Sequence, residues 1–250
     1  MDHDVLLPGE TLGLMGGGQL GRMFAQAAAT MGYHVAVLEP GATSPAGEVA
    51  LRQIAARYDD AEGLRTLAQT VRAVTTEFEN VPAASLRALA DAGLRTTPSA
   101  DAVAATQNRN VEKAFIERAG VPVAPHARVA SEADVAALPA ELFPGILKTA
   151  SLGYDGKGQA RVANVEETLE AFRAFGGVEC VLEKRLALKL EVSVIVCRGL
   201  DGATKTFPVS ENVHRNGILA VSVMPARIDD ATANRAREYA GRIAEALDYR

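Results

Sequence analysis

The first hundred residues repeat a pattern of short apolar runs and helical stretches. Residues 11–16 form an apolar run that ends in glycines, and from 19 to 31 apolar side chains recur at helical spacing. A second apolar run follows at 34–38, and a third, at 73–78, comes after an amphipathic stretch at 61–72. This strand–helix alternation favours an α/β fold, in which helices cover a parallel sheet.

The pattern changes near Pro98. A helical stretch predicted at 100–119 ends at Gly120 and Pro122, and short apolar runs between turn residues then dominate. Strands are predicted at 145–149, 159–162, 180–184, 191–198, 204–209 and 218–224. Only two helices, at 165–175 and 230–247, are expected among them. The chain is therefore predicted to hold an α/β domain at residues 1–98 and an α+β domain with mainly antiparallel strands at residues 99–250.

The composition of the 250 residues, with 48% hydrophobic and 23% charged, is typical of a globular protein. The formal net charge is −5, and like charges do not cluster into blocks. Nucleic acid and anionic membranes attract basic patches, so neither is expected as a partner. Any phosphate group must therefore be held by a local site.

Neither the cysteines nor the first residues indicate export. Cys180 and Cys197 lie in apolar runs, which predicts buried, reduced thiols and not a disulfide or a metal pair. The segment MDHDVLLPGE lacks the basic start and long apolar core of a secretion signal, and no apolar run approaches the ~20 residues of a membrane span. A soluble, cytoplasmic protein is expected.

A glycine-rich loop joins the first predicted strand to the first predicted helix. The segment GGGQLG at residues 16–21 fits the pattern G-x-G-x-x-G, and backbone N–H groups at the start of a helix favour an anion. Glu39, after the second predicted strand, stands where a dinucleotide-binding fold places its ribose-binding acid. Two interpretations stay open on this loop alone: NAD or FAD binding, and a tight turn whose glycines allow close helix–strand packing.

A second glycine-rich loop follows Lys148, which ends the apolar segment PGILK. Residues 153–159, GYDGKGQ, combine three glycines with Lys157, so backbone N–H groups and an ammonium could approach the phosphates of a nucleoside triphosphate. The P-loop pattern and its following helix are missing, which requires a different phosphate-binding architecture. A plain hairpin tip is the alternative, but it leaves a lysine on an apolar strand unexplained.

Two carboxylates stand at the ends of predicted strands. Glu183 closes VLEK and Glu191 opens EVSVIV. Each could accept hydrogen bonds from ribose or adenine, or could simply protect an edge strand from aggregation. His214 lies in the polar segment 211–217, which is predicted as a turn. The remaining histidines lack metal-ligand spacing, and no arrangement typical of a catalytic nucleophile is found.

Six segments, taken together and in order, resemble one protein family. They are GGGQLGRM at 16–23, TTEFENV at 75–81, QNRNVEK at 107–113, ILKTASLGYDGKGQ at 146–159, LEK at 182–184 and ENVHRNGIL at 211–219. Over about residues 11–250 the chain resembles the N5-carboxyaminoimidazole ribonucleotide synthases, which are ATP-grasp ligases of purine biosynthesis. The resemblance implies a Rossmann-like, substrate-binding pre-ATP-grasp domain followed by an ATP-grasp domain, and it makes dinucleotide binding a remote alternative.

The resemblance also implies a reaction and a set of site residues. ATP and Mg²⁺ would activate bicarbonate to carboxyphosphate, and the exocyclic amine of 5-aminoimidazole ribonucleotide (AIR) would capture the carboxyl group. The implied catalytic residues are Lys148, Lys157 and Asp155. The implied nucleotide-binding residues are Arg109, Lys148, Gly153, Tyr154, Asp155, Gly156, Lys157, Gly158, Gln159, Glu183, Lys184, Arg185, Leu186, Glu191 and His214. The implied AIR-binding residues are Gln19, Leu20, Glu77, Tyr154 and Asp155.

In this family the acidic ligands of magnesium follow the segment that matches EALDYR, so the metal ligands are expected beyond residue 250. On this expectation the 250-residue chain lacks part of the ATP-grasp fold and would not turn over by itself. The formate-dependent glycinamide ribonucleotide transformylases are the nearer alternative family, and a nucleotide-binding protein without turnover is a further one. Family members are commonly dimers, so a homodimer is expected for the full-length protein.

Overall fold

The computed structural model describes residues 5–153, 158–215 and 217–250, and these form two compact units. The first unit extends to Ala104 and includes the last two residues, Tyr249 and Arg250, while the second spans Ala105 to Asp248. Each unit has its own sheets and its own hydrophobic core. The domain boundary placed after residue 98 stays a prediction.

The first unit is built on a five-stranded parallel sheet in the order β3-β2-β1-β4-β5. Its strands are β1 (Thr11–Met15), β2 (His34–Glu39), β3 (Arg52–Ala55), β4 (Ala73–Thr76) and β5 (Arg95–Thr96). The helices are α1 (Gln19–Thr30), α2 (Ala61–Thr70), α3 (Ala83–Asp91) and α4 (Ala100–Thr106). The predicted α/β fold is confirmed, and the strand order matches that of a Rossmann-type sheet with the first strand at its centre.

Alternation along β2 gives this sheet two apolar faces. Val35 and Val37 belong to the core cluster on one face, while Ala36 and Leu38 belong to the cluster on the other. Successive side chains of a strand point to opposite faces, so a strand covered on both sides is apolar throughout. Because β1, β2 and β4 are parallel, their carboxyl ends lie along one edge of the sheet, where the loop of residues 16–18 leads into α1.

The second unit centres on a four-stranded antiparallel sheet in the order β6-β9-β7-β8, accompanied by a three-stranded sheet, β10-β13-β14, and a β11-β12 pair. The strands of the larger sheet are β6 (His126–Val129), β7 (Gly145–Thr149), β8 (Gln159–Val162) and β9 (Cys180–Lys184). Those of the smaller sheets are β10 (Glu191–Ser193), β11 (Val196–Arg198), β12 (Thr204–Thr206), β13 (Ser210–Arg215) and β14 (Ile218–Val223). The helices are α5 (Arg109–Arg118), α6 (Glu132–Ala136), α7 (Val165–Ala174) and α8 (Asp230–Ala246). The expected α+β unit with mainly antiparallel strands is confirmed.

The four-stranded sheet has an apolar face and a charged face. Leu147 of β7 and Leu182 of β9 lie opposite each other and pack with Phe172 of α7 in the core of this unit. Lys148 follows Leu147 in the strand, so its side chain points to the opposite face. Pleating therefore explains why a lysine can stand on an apolar strand.

The prediction of one continuous helix at 100–119 was wrong, because the structure has two helices there. Asn108 has an extended backbone, and its side chain accepts the N–H groups of Asn110 and Val111, which caps the start of α5. The strand β6 and the short helix α6, which precede the first strand predicted in this unit, were not predicted from the sequence.

Two predictions about the smaller sheets were wrong as well. The strand predicted at 191–198 is interrupted after Ser193, and its parts, β10 and β11, pair with strands of different sheets. The segment predicted as a turn at 211–217 lies mostly in β13, which pairs with β10 and β14. Its polar composition is that of an exposed strand, which lacks the apolar face that a sequence pattern detects.

The two cysteines differ in their surroundings. Cys180 is buried and its thiol donates to the carbonyl of Val178, whereas Cys197 is exposed on β11, so burial of the second thiol was predicted wrongly. Burial and the neighbouring charge of Glu179 raise the pKa of Cys180 to about 11. Among the residues that the structure describes, none of the helices combines the length and the apolar character that crossing a membrane requires.

Candidate functional site

Three charged side chains meet on the charged face of the four-stranded sheet. Lys148 Nζ lies 2.9 Å from Glu183 Oε2, and Lys113 Nζ lies 3.1 Å from Glu183 Oε1. Glu183 is paired with Ile146 in the strand register, so Lys148 is its diagonal neighbour on the same face, while Lys113 approaches from α5. The side chains of Lys113, Glu183 and Lys148 are 12%, 14% and 24% exposed, so the cluster is largely removed from water.

Burial and the two lysines act in opposite directions on the pKa of Glu183. Desolvation raises this pKa, but the hydrogen bond and charge of Lys148, together with Lys113, hold it below the usual value of 4.5. The pKa of Glu112, which precedes Lys113 on α5, is raised by burial, against the attraction of Arg109 and Lys113. The site therefore holds one firmly ionised carboxylate and a second carboxyl group whose ionisation its surroundings oppose.

Arg109, the first residue of α5, fastens the stem of the second glycine loop. Its Nε donates to Thr149 O and its Nη2 to Gly153 O, both at 3.2 Å. On the returning side of the loop, the Thr149 N–H donates to Gly158 O at 2.8 Å. Gly158 has φ +67°, and a Cβ there would lie 2.6 Å from Thr149 Oγ1, so this position requires glycine. Four predicted loop residues, Tyr154, Asp155, Gly156 and Lys157, lie outside the described residues.

Glu179, just before β9, fixes the start of α5 against the sheet. Its carboxylate accepts hydrogen bonds from Asn108 Nδ2 at 3.3 Å, Asn110 Nδ2 at 3.1 Å and Arg128 Nε at 2.5 Å. Two of the donors, Asn108 and Asn110, directly precede and follow Arg109 in the sequence. The position of Arg109 beside the loop is thus set by side chains that lie far from it along the chain.

Residues 183–186, which the family resemblance assigns to the adenine of ATP, leave β9 along main-chain hydrogen bonds. The Lys184 N–H donates to Pro125 O at 2.8 Å, and the Arg185 N–H donates to Pro144 O at 2.9 Å. The next side chain, Leu186, is half exposed. The segment therefore begins at a fixed position, directly after Glu183, and presents an accessible apolar side chain.

Glu191 and His214 lie together on neighbouring strands of the three-stranded sheet. Glu191 is paired with Asn212, and His214 Nδ1 lies 3.6 Å from Glu191 Oε1. A Cβ placed on Gly217, in the turn before β14, would lie 3.9 Å from Gln159 Nε2. The β13–β14 hairpin thus approaches the returning end of the glycine loop.

Three of the residues predicted to bind AIR, Gln19, Leu20 and Glu77, lie at the carboxyl edge of the parallel sheet in the first unit, while Tyr154 and Asp155 lie outside the described residues. Leu20, Glu77 and Tyr58 line a groove of about 410 Å³ there, while Gln19 is exposed at the start of α1 but is not among its lining residues. Glu77 Oε2 accepts the Gly18 N–H at 2.5 Å. Part of the first glycine loop is therefore occupied by a carboxylate of the chain itself.

Magnesium is the metal that the family resemblance implies. Within residues 5–153, 158–215 and 217–250, no three or more His, Cys, Asp and Glu side chains are grouped so that they could hold a metal ion. Among the described residues, Glu183 and Glu112 are carboxylates close to Lys148, and Glu183 is already engaged by two lysines.

Comparison with known proteins assigns the chain to a family. A model described as the ribonucleotide synthetase preATP-grasp domain matches residues 9–107, and one described as the ATP-grasp domain matches residues 114–250. N5-carboxyaminoimidazole ribonucleotide synthase of Brucella melitensis biotype 1 is 46% identical over 252 residues, which cover 100% of the chain and 69% of that relative. The chain belongs to the N5-carboxyaminoimidazole ribonucleotide synthase family.

Solved structures of family members share the fold. N5-carboxyaminoimidazole synthetase from Staphylococcus aureus, complexed with ADP, has a TM-score of 0.90 and 40% identity, covering 96% of the chain and 64% of that structure. The synthase from Aspergillus clavatus, in complex with ADP and AIR, has a TM-score of 0.87 and 29% identity, covering 96% and 64%. The chain thus spans about two thirds of the length of these family members.

The structure groups most of the residues that the family resemblance implied. Arg109, Lys148 and Glu183 lie around the stem of the glycine loop, and Glu191 lies beside His214. Sequence reasoning assigned no role to Lys113, Glu112, Glu179 or Tyr58. Lys113 could have been found, since it follows Arg109 by four positions on the same helix face, within the motif QNRNVEK. Glu179 and Tyr58 carry no sequence signal of their contacts.

Proposed function

We propose that the protein carrying this chain uses ATP to carboxylate AIR with bicarbonate in purine biosynthesis, giving N5-carboxyaminoimidazole ribonucleotide, ADP and phosphate. The observation that carries the proposal is the convergence of Lys148, Glu183 and Arg109 at the glycine loop of an ATP-grasp domain. Fixed cations beside a glycine loop suit the phosphates of ATP. Family membership favours this reaction over that of the formate-dependent transformylases and over a dinucleotide-dependent oxidoreductase.

The proposed chemistry has two steps. An oxygen of bicarbonate attacks the γ-phosphorus of ATP, the bond to the bridging oxygen breaks, and ADP leaves with the electron pair. The exocyclic amine of AIR then attacks the carbon of carboxyphosphate, phosphate leaves as the C–O bond breaks, and the amine loses one proton. Lys148 and Arg109 would neutralise charge on the transferred phosphoryl group, and a closed loop at 153–159 would keep water from the acyl phosphate.

The binding roles follow the family resemblance and the positions of the side chains. The nucleotide would take its phosphate contacts from Arg109, Lys148 and the loop, its adenine contacts from the segment Glu183–Leu186, and its ribose contacts from Glu191, with His214 adjacent. Lys148 would exchange its contact with Glu183 for a phosphate oxygen, and Lys113 would remain to balance the carboxylate. AIR would contact Gln19, Leu20 and Glu77 in the first unit, and the family resemblance also implies Tyr154 and Asp155 as AIR-binding residues.

Magnesium and a second subunit belong to the proposal on family grounds. Magnesium would accompany the phosphates of ATP and offset their negative charge during phosphoryl transfer. A homodimer in the cytoplasm is proposed for the complete protein because family members are commonly dimers.

The test is a measurement of ADP release by the full protein that contains this chain. With magnesium and ATP, release should require both AIR and bicarbonate. Release that instead requires formate and glycinamide ribonucleotide would assign the protein to the transformylases. A melting temperature raised by NAD or FAD, with no response to ATP, would support the oxidoreductase in its place.

A further inference from the structure

The first glycine loop leads into α1, and the N–H groups of its three glycines already have partners. The Gly16 N–H donates to Leu38 O at 3.1 Å, in the continuation of the sheet. The Gly17 N–H donates to Glu39 Oε2 at 2.9 Å, and the Gly18 N–H donates to Glu77 Oε2 at 2.5 Å. The N–H groups of Gly17 and Gly18 are therefore already taken by two carboxylates of the chain.

The glycines of this loop are required by those carboxylates. A Cβ on Gly17 would lie 2.5 Å from Ser44 Oγ and 2.8 Å from Glu39 Cγ, and a Cβ on Gly18 would collide with the Glu77 carboxylate. Gly16 has φ +114°, and a Cβ there would lie 2.7 Å from Glu77 Cβ. The three glycines at 16–18 can therefore be explained without a bound phosphate, because each makes room for a glutamate.

Glu39 is held in place by a tyrosine. Tyr58 Oη donates to Glu39 Oε2 at 2.6 Å, and the ring of Tyr58 packs edge-on against Phe78 with the centroids 5.6 Å apart. Burial, followed by the hydrogen bond and charge of Glu39, raises the pKa of Tyr58, so its hydroxyl stays a donor at neutral pH. Glu39 thus receives hydrogen bonds from the loop and from Tyr58 on the same oxygen.

Electrostatics decides what this loop can accept. Like charges close together repel strongly near a protein surface, so a phosphate at the loop would be repelled by two carboxylates. It would also have to displace both of them from the N–H groups. Ligand groups that carry hydrogen-bond donors meet no such barrier.

From these contacts we infer that Glu39, oriented by Tyr58, is a positioning residue that holds the first glycine loop and, with Glu77, keeps phosphate groups away from the N–H groups of Gly17 and Gly18. That the affected ligand is AIR rests on the proposed function. The exclusion of phosphate from the loop does not, because it follows from the hydrogen bonds alone.

The exclusion is tested by NMR on the chain labelled with ¹⁵N-glycine, titrated with inorganic phosphate. In the wild type, the Gly17 and Gly18 amide signals should not move. In the double variant Glu39→Gln, Glu77→Gln, both signals should shift with phosphate, because the repelling charges are gone. Movement of these two signals in the wild type would overturn the inference, and so would their failure to respond in a folded double variant. Neither outcome depends on whether the protein carboxylates AIR.

The positioning role is tested by steady-state kinetics of the full protein. Tyr58→Phe removes one hydrogen bond to a charged group, so KM for AIR should rise roughly 3- to 10-fold while KM for ATP stays unchanged. Tyr33→Phe is the matched control, since Tyr33 Oη donates to Leu6 O at 3.0 Å within the same unit, away from the loop. Equal changes in both KM values, or no change in either, would overturn the role. If Tyr58→Phe fails to fold, Glu39→Gln provides a second variant, which should likewise raise KM for AIR and leave KM for ATP unchanged.

Discussion

Replacement of Lys148 by methionine tests the phosphate site most sharply. The change keeps the length and apolar stem of the side chain and removes the ammonium that lies 2.9 Å from Glu183 Oε2. Glu183 keeps its second partner, Lys113, at 3.1 Å. The carboxylate therefore loses half of its charge compensation without being left unpaired.

The expected magnitudes separate stability from binding. Loss of one partner of a fully buried ion pair costs ~3–5 kcal/mol. Because Lys148 is about a quarter exposed and Glu183 retains Lys113, the cost to folding should be smaller, about 1–3 kcal/mol. Loss of a desolvated charge that faces a phosphate costs ~2–5 kcal/mol of binding, so ATP affinity should fall roughly 30-fold or more.

Lys113→Met is the matched control. It removes the other ion pair with the same carboxylate, so it should destabilise the fold by a similar amount. Isothermal titration calorimetry with ATP should then show a much smaller loss of affinity for Lys113→Met than for Lys148→Met. Arg128→Met, which removes a more exposed ion pair with Glu179, should leave ATP affinity unchanged. Equal ATP affinity in the parent and all three variants would refute the phosphate assignment of Lys148.

Three further predictions follow from other positions. Burial raises the pKa of Glu112 above its usual 4.5, so the ionised side chain destabilises the fold at high pH. Glu112→Gln should therefore raise the melting temperature at pH 8. This increase in melting temperature should vanish as the pH falls below about 4.5. At pH 7.5 a maleimide should label Cys197 quickly and Cys180 only after unfolding, as mass spectrometry of the native and denatured protein would show, because the pKa of Cys180 is about 11. Gly158→Ala should lower stability in thermal melts by more than the ~1–2 kcal/mol that a left-handed backbone costs a residue with a Cβ. Gly93→Ala is the control, since Gly93 has φ +89° and open space around it and should lose only that amount. Equal losses in the two variants would show that the contact at Gly158 is irrelevant.

Much of the fold follows from local patterns. The short apolar run in GILKT predicts β7, and the pleat of a strand places Lys148 on the face opposite Leu147. The contact of Lys148 with Glu183 depends on the register between β7 and β9, whose residues lie 35 positions apart. No local pattern specifies that register, because pairing of distant strands is decided by the packing of the whole sheet.

Polar contacts over long sequence distances were the least predictable part of the site. Glu179 binds Asn108, Asn110 and Arg128, which lie 71, 69 and 51 positions away. The capping role of Asn108 had a local signal, since Asn is a favoured N-cap residue, but the apolar spacing on both sides masked the break between α4 and α5. The anchoring of Arg109 by Glu179 became visible only in the folded unit.

The first glycine loop shows the limit of a motif. The pattern G-x-G-x-x-G predicted the strand, turn and helix correctly, and it left dinucleotide binding and close packing as alternatives. Which of these two interpretations holds depends on the hydrogen-bond partners of the loop. Gly17 donates to Glu39, 22 positions away, and Gly18 donates to Glu77, 59 positions away. A motif fixes where N–H groups converge, whereas distant residues decide whether a ligand can reach them.

The central claim is that bicarbonate is activated by phosphoryl transfer from ATP and then donated to AIR. The most direct test supplies the full protein with ¹⁸O-labelled bicarbonate, ATP, magnesium and AIR, and measures the released phosphate by mass spectrometry. Because bicarbonate oxygen attacks the γ-phosphorus and stays on phosphorus when the C–O bond breaks, each phosphate released should carry one labelled oxygen. Phosphate that contains no label, although AIR is carboxylated, would contradict the account.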